Sequence, residues 1–96
     1  MTNDKLQPDQ AAEILAVEVL SFLARDPERI AGFLAASGMG PEAVRASARE
    51  PGFLRGVIDH LLNDEPLLLV FCEETEYTSR DLWNARRVLE DMAPDE

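Results

Sequence analysis

Apolar residues recur three and four positions apart along most of this chain, the spacing that gathers them on one side of a helix. The clearest stripe is Phe53, Leu54, Val57, Ile58, Leu61 and Leu62, bounded by Glu50-Pro51-Gly52 before it and Asn63-Asp64 after it. An earlier helix, from about Pro8 to Arg25, carries Leu15, Val19, Phe22 and Leu23 on one side. Ile14 and Val17 fall on its other side, with Gln10, Glu13 and Ser21. Such a helix is either central in the fold or meets a partner or a second copy through Ile14 and Val17.

Caps and breakers divide the rest. Asp26-Pro27-Glu28 reads as an N-cap carboxylate, a proline at the first helical position and an acid in the first turn. The helix it opens should stop at Gly38, a natural terminator after Ser37. Gly40-Pro41-Glu42 starts a short third helix, and Asn63-Asp64-Glu65-Pro66 repeats the earlier restart. Thr78-Ser79-Arg80-Asp81 has the form of a capping box. The helix behind it should bury Leu82, Ala85, Val88, Leu89 and Met92.

The run from Leu67 to Cys72 is ambiguous, because six apolar residues in a row also suit a buried strand. A repeat decides it. Asp26 and Asp64 stand 38 positions apart, and so do Phe33 and Phe71, Leu23 and Leu61, Val19 and Val57, and Arg49 and Arg87. Conservative matches share the offset: Leu20 with Ile58, Ile30 with Leu68, Ser37 with Thr75, and Val44 with Leu82. The run therefore aligns with Ile30 to Leu34, whose caps are helical, and is expected to be a helix buried on nearly all sides. A fixed period of this kind points to a duplicated supersecondary unit whose copies cover each other's apolar faces. The expectation is all-α: about six helices in two related three-helix units, over roughly 15–49 and 53–87. They would form one bundle-like domain across residues 1–96, with residues 1–7 and 93–96 flexible.

Charge narrows the partners. Nineteen acidic residues against nine basic ones leave a net charge of −10, which works against phosphate backbones and anionic lipid. The single cysteine, Cys72, rules out an intrachain disulfide. The polar start lacks a signal-peptide pattern, and the longest apolar run is too short to span a bilayer. A cytoplasmic protein without membrane contact is expected.

Chemical motifs are scarce. A Cys–His nucleophilic pair would need Cys72 and His60 in contact, with the thiol activated, whereas Cys72 ends an apolar run and His60 edges a helical stripe. A closed zinc site needs four Cys or His ligands, more than the chain holds. Glu73, Glu74 and Glu76 lack the spacing and turn glycine of an oxygen-ligand loop and read as a solvated acidic turn near Arg80. No catalytic residue, metal or cofactor is expected. The stretch from Ile30 to Ala48 has helix-turn-helix form, with Gly38 at the turn, Leu34 and Val44 as packing positions, and Arg45 and Arg49 along the second helix. The acid at its start, Glu42, and the overall charge oppose binding to nucleic acid.

One cluster stands apart. Trp83, the only tryptophan, falls off the buried face of the last helix and lands among Arg80, Arg86 and Arg87. Arg87, four residues on, is placed to stack on its ring. Tryptophan and arginine are enriched at interface hot spots, so Trp83, Arg80, Arg87 and Arg86 are the expected partner-binding residues. The alternative is that Trp83 packs under a neighbouring segment and covers a seam.

The segments LARDPERIAGFLAASG and LLNDEPLLLVF together resemble a family of small bacterial proteins, domain of unknown function 3572, from about Ala11 to Leu89. Its most specific elements here are Asp26-Pro27-Glu28-Arg29, Phe33-Leu34, Gly38, Asp64-Glu65 and Phe71. The resemblance implies a helical fold and brings no catalytic or binding residues, since that family has no established activity. The expected function is a non-enzymatic protein-interaction or adaptor domain of the bacterial cytoplasm, with an unidentified protein partner and room for self-association. The alternative is a helix-turn-helix-like regulator associated with nucleic acid.

Overall fold

The computed structural model describes residues 7–93, which form six helices: α1 (Pro8–Ala24), α2 (Pro27–Ser37), α3 (Pro41–Ser47), α4 (Pro51–Leu62), α5 (Glu65–Glu74) and α6 (Ser79–Met92). No strand occurs among the described residues. The residues expected to be flexible at 1–6 and 94–96 lie outside them. Gln7 and Ala93 are the residues flanking the first and last helices.

The boundaries follow local chemistry. Free N–H groups at a helix start need acceptors. Asp26 Oδ1 accepts from the Glu28 N–H at 2.9 Å, and Asp64 Oδ1 from the Leu67 N–H at 3.3 Å. At α6 the box closes both ways: the Asp81 N–H donates to Thr78 Oγ1 at 3.2 Å, and the Thr78 N–H to Asp81 Oδ2 at 2.9 Å. Gly38 ends α2 with φ 72°, a left-handed conformation that glycine adopts without steric cost.

Three helices make the core. α1, α4 and α6 pack mutually and supply thirteen of the fifteen buried side chains among the described residues. Val19, Phe22, Leu23, Val57, Ile58, Leu61, Leu82 and Leu89 are fully enclosed there. α2 and α5 each add one buried residue, Phe33 and Phe71, and α3 adds none.

This corrects the reading of α5. Its run is helical, but it is not buried on nearly all sides: Leu69 is exposed, and Leu67, Leu68, Val70 and Cys72 are only half-buried. The apolar run meets too few neighbours to be enclosed, because α5 lies at the edge of the packed three. The two halves also differ at their third helices. α3 has seven residues and no buried side chain, while α6 has fourteen and three. The starts of two helix pairs recur at the 38-residue offset, α2 and α5 beginning at 27 and 65 and α3 and α6 at 41 and 79, whereas α1 and α4 begin at 8 and 51; two related three-helix units are not established. The packing of the third helices does not recur.

Candidate partner-binding surface

α6 turns three sides to its surroundings. Leu82, Ala85 and Leu89 face the core, with Val88 and Met92 half-buried beside them, as the helical spacing requires. A second side faces α4 and carries charge. Arg86 Nε donates to Asp59 Oδ1, and Arg86 Nη1 to Glu90 Oε1 at 3.2 Å. Arg55 completes the group, 3.7 Å from Asp59 and 3.8 Å from Glu90. The hydrogen bond and charge of Asp59 hold the Arg86 guanidinium protonated even more firmly than usual. Four partly exposed charges thus tie α4 to α6 along one edge.

The third side is open. Trp83 is 54% exposed, so it neither packs under a neighbouring segment nor seals a seam. Arg80 and Arg87 are exposed with it and make no ion pair among the described residues. The expected stacking partner was Arg87. The guanidinium found over the indole is that of Arg86, 6.0 Å from the ring centroid. Asp59 of α4 and Glu90, one turn further along α6, hold Arg86 in that position, while Arg87 is exposed and makes no ion pair with either. Of the four expected partner-binding residues, Arg86 is thus held beside the indole by Asp59 and Glu90, and Trp83, Arg80 and Arg87 are exposed.

The remaining candidates lie elsewhere. His60 is half-buried on α4, edge-on to Phe33 with centroids 5.3 Å apart at 80°. Cys72 is half-buried on α5, and burial, followed by the Asp81 charge, pushes its thiol pKa up. An activated nucleophile needs the opposite shift. No cluster of three or more potential metal ligands occurs among the described residues. Glu74 of the acidic turn faces away from Arg80: it lies 3.9 Å from Arg25 and 4.0 Å from Arg29. There it joins the end of α5 to the α1–α2 junction, where Arg29 also covers the Phe22 ring at 4.1 Å.

On α3, Arg45 is exposed and pairs loosely with Glu42 at 3.9 Å, and Arg49 follows in the turn. Leu34 and Val44 lean on the core from either side of Gly38. The sequence singled out no hollow, yet two border this frame. One, of about 730 Å³, lies between α2 and α4, with Phe33, Met39 and Phe53 around a floor of Gly52 and Gly56. The other runs between α1 and α6. The signal for the first was the pair of glycines, Gly52 and Gly56, one turn apart on the fourth helix.

The pattern of the family described as "Protein of unknown function (DUF3572)" matches residues 9–92, nearly the whole chain. The chain belongs to this family. No curated protein and no solved structure matches it. The matched span runs from the first turn of α1 to the end of α6, so all six helices of this DUF3572 protein lie within the family's domain. None of its helices is long and apolar enough to cross a membrane, among the described residues.

Proposed function

We propose that this DUF3572 protein is a non-enzymatic protein-interaction domain of the bacterial cytoplasm, meeting an anionic protein surface through Trp83, Arg80 and Arg87. One observation carries this reading: the chain's only tryptophan stands 54% exposed beside two arginines that make no ion pair among the described residues, on an otherwise acidic molecule. A large ring offers contact area at low entropic cost, and guanidinium groups give directed hydrogen bonds to carboxylates. A local cationic patch on a chain of net charge −10 also fixes which way an anionic partner can approach. The lone, half-buried Cys72 with no disulfide suits a reducing compartment.

The test is capture from a bacterial lysate on the immobilised chain, with Trp83→Ala and Arg80→Glu/Arg87→Glu as parallel baits. A partner of this surface should be retained by the parent and lost from both variants, and its binding should shift the Trp83 emission to the blue. Retention by all three baits would refute the reading. Salt-sensitive retention of DNA, lost on replacing Arg45 and Arg49, would put the nucleic-acid regulator in its place.

A further inference from the structure

The outer side of α1 is apolar along its middle and acidic at its edges, and no other element among the described residues covers it. Ile14 and Val17 are 45% and 47% exposed. At about 100° per residue they lie between Glu13 on one flank and Glu18 on the other. α1 contains no lysine or arginine. Asp9, Glu13 and Glu18 have no ion-pair partner among the described residues, whose salt bridges fall on Asp26, Glu42, Asp59, Glu74 and Glu90.

Ile14 also walls two hollows at once. One, of about 460 Å³, passes between α1 and α6 over Ala11, Leu15, Tyr77 and Val88. The other follows α1 itself, over Val17 and Ser21 between the two glutamates. The surface is therefore an apolar trough with a negative border. Tyr77 reports that border from inside: burial first, then the charges of Glu18 and Asp81, push its phenol pKa up.

We propose that this face docks a cationic amphipathic helix of a partner protein, whose apolar stripe covers Ile14, Val17 and the α1–α6 trough while its lysines or arginines meet Glu13 and Glu18. Helix-in-groove recognition needs an apolar channel of this kind with charge of one sign along its edge. A second copy is the wrong occupant, because a two-fold contact would bring Glu13 and Glu18 against the same acids. An anionic membrane is repelled for the same reason. Across the trough, Arg80 and Arg87 lie on the outer side of α6 beyond Asn84, so the cationic flank of the incoming helix faces α1. That fixes its rotation about its own axis. The site leaves out Trp83, which is about 140° around α6 from Val88 at 100° per residue.

The test uses the full chain and two synthetic peptides of roughly 18 residues, both with leucine at helical spacing, one with lysine and the other with glutamate elsewhere. Titration calorimetry should show the lysine peptide binding and the glutamate peptide not. Amide shifts should map to α1 and to Tyr77, Asn84 and Val88. Ile14→Ser/Val17→Ser should weaken binding at least about tenfold, and Glu13→Lys/Glu18→Lys should abolish it, while Trp83→Ala leaves it unchanged. Circular dichroism checks that each variant folds. Equal binding of both peptides, unchanged affinity in Ile14→Ser/Val17→Ser, or loss in Trp83→Ala would overturn the proposal. A dimer in sedimentation that Ile14→Ser/Val17→Ser dissociates would assign the face to a second copy and overturn it too.

Discussion

Asp26 caps α2 and Asp64 caps α5. Phe33 and Phe71 are the one buried side chain of each helix. At the far ends, Ser37 Oγ donates to the Leu34 carbonyl and accepts from the Met39 N–H, and Thr75 Oγ1 does the same with Phe71 and Tyr77. The aspartates, the phenylalanines, Ser37 with Thr75, and Met39 with Tyr77 are each 38 residues apart, while the accepting carbonyls of Leu34 and Phe71 are 37 apart, so the two helices share most of one local plan.

Their tertiary settings cross over. Phe33 meets His60 of α4 edge-on at 5.3 Å, and Phe71 meets Phe22 of α1 edge-on at 5.2 Å. Phe22 and His60 are themselves 38 apart, so each second helix leans on the matching ring of the other half. The surroundings of these contacts differ. Tyr77 stacks on Phe71 at 8° and closes that side, whereas its counterpart Met39 borders an open hollow beside Phe33. Gly52 and Gly56 stand where α1 has Ile14 and Glu18, and their missing side chains leave the hollow empty. A shared local code thus produced one closed contact and one open one.

The largest expected effect separates the two phenylalanines. Phe71→Ala removes a fully enclosed ring between Phe22 and Tyr77 and should cost about 4 kcal/mol in urea unfolding. Phe33→Ala empties a site already open to the hollow, which water can fill, and should cost about 3 kcal/mol. Equal losses would mean that the open and closed settings are energetically the same. The caps come next: Asp26→Ala and Asp64→Ala should each cost about 1 kcal/mol, and the asparagine variants almost nothing. Damage from asparagine equal to that from alanine would show that charge, and not the accepted hydrogen bond, matters at these positions.

Gly56→Ala probes the open side. A Cβ there meets nothing within 4 Å, so the helix should gain about 0.5–1 kcal/mol from its reduced unfolded-state entropy. A loss instead would mean that the hollow is held open by something this packing does not account for.

The closed side has a titration of its own and the smallest effect. Tyr77 should ionise above its ordinary value, read from phenolate absorbance, and Glu18→Gln should bring the midpoint down. The folded state keeps the phenol protonated. Its contribution is therefore complete below the unfolded pKa and lost as pH rises through the folded one, leaving stability at neutral pH unchanged. A midpoint insensitive to Glu18→Gln would remove the carboxylate from the trough.

Helix number and boundaries were legible because each rests on residues a few positions apart: Asp26 with Glu28, Thr78 with Asp81, Ser37 with Gly38. The inner face of α6 was legible for the same reason, and so was the position of Trp83 off that face. The stacking partner was not. Helical spacing favours Arg87, four residues on, but Asp59 and Glu90 hold Arg86 beside the ring, and Asp59 lies on another helix.

The sequence by itself determined the all-α class, the six helices and the family, since caps, breakers and apolar spacing act within a turn or two of chain. Only the tertiary structure decided that α1, α4 and α6 form the core, that α5 stays half-exposed, and that one phenylalanine site is sealed and the other open. It also decided that Ile14 and Val17 face outward. Burial depends on which distant surfaces arrive opposite a side chain, and a hydrophobic residue carries the same preference for cover whether or not the fold provides it.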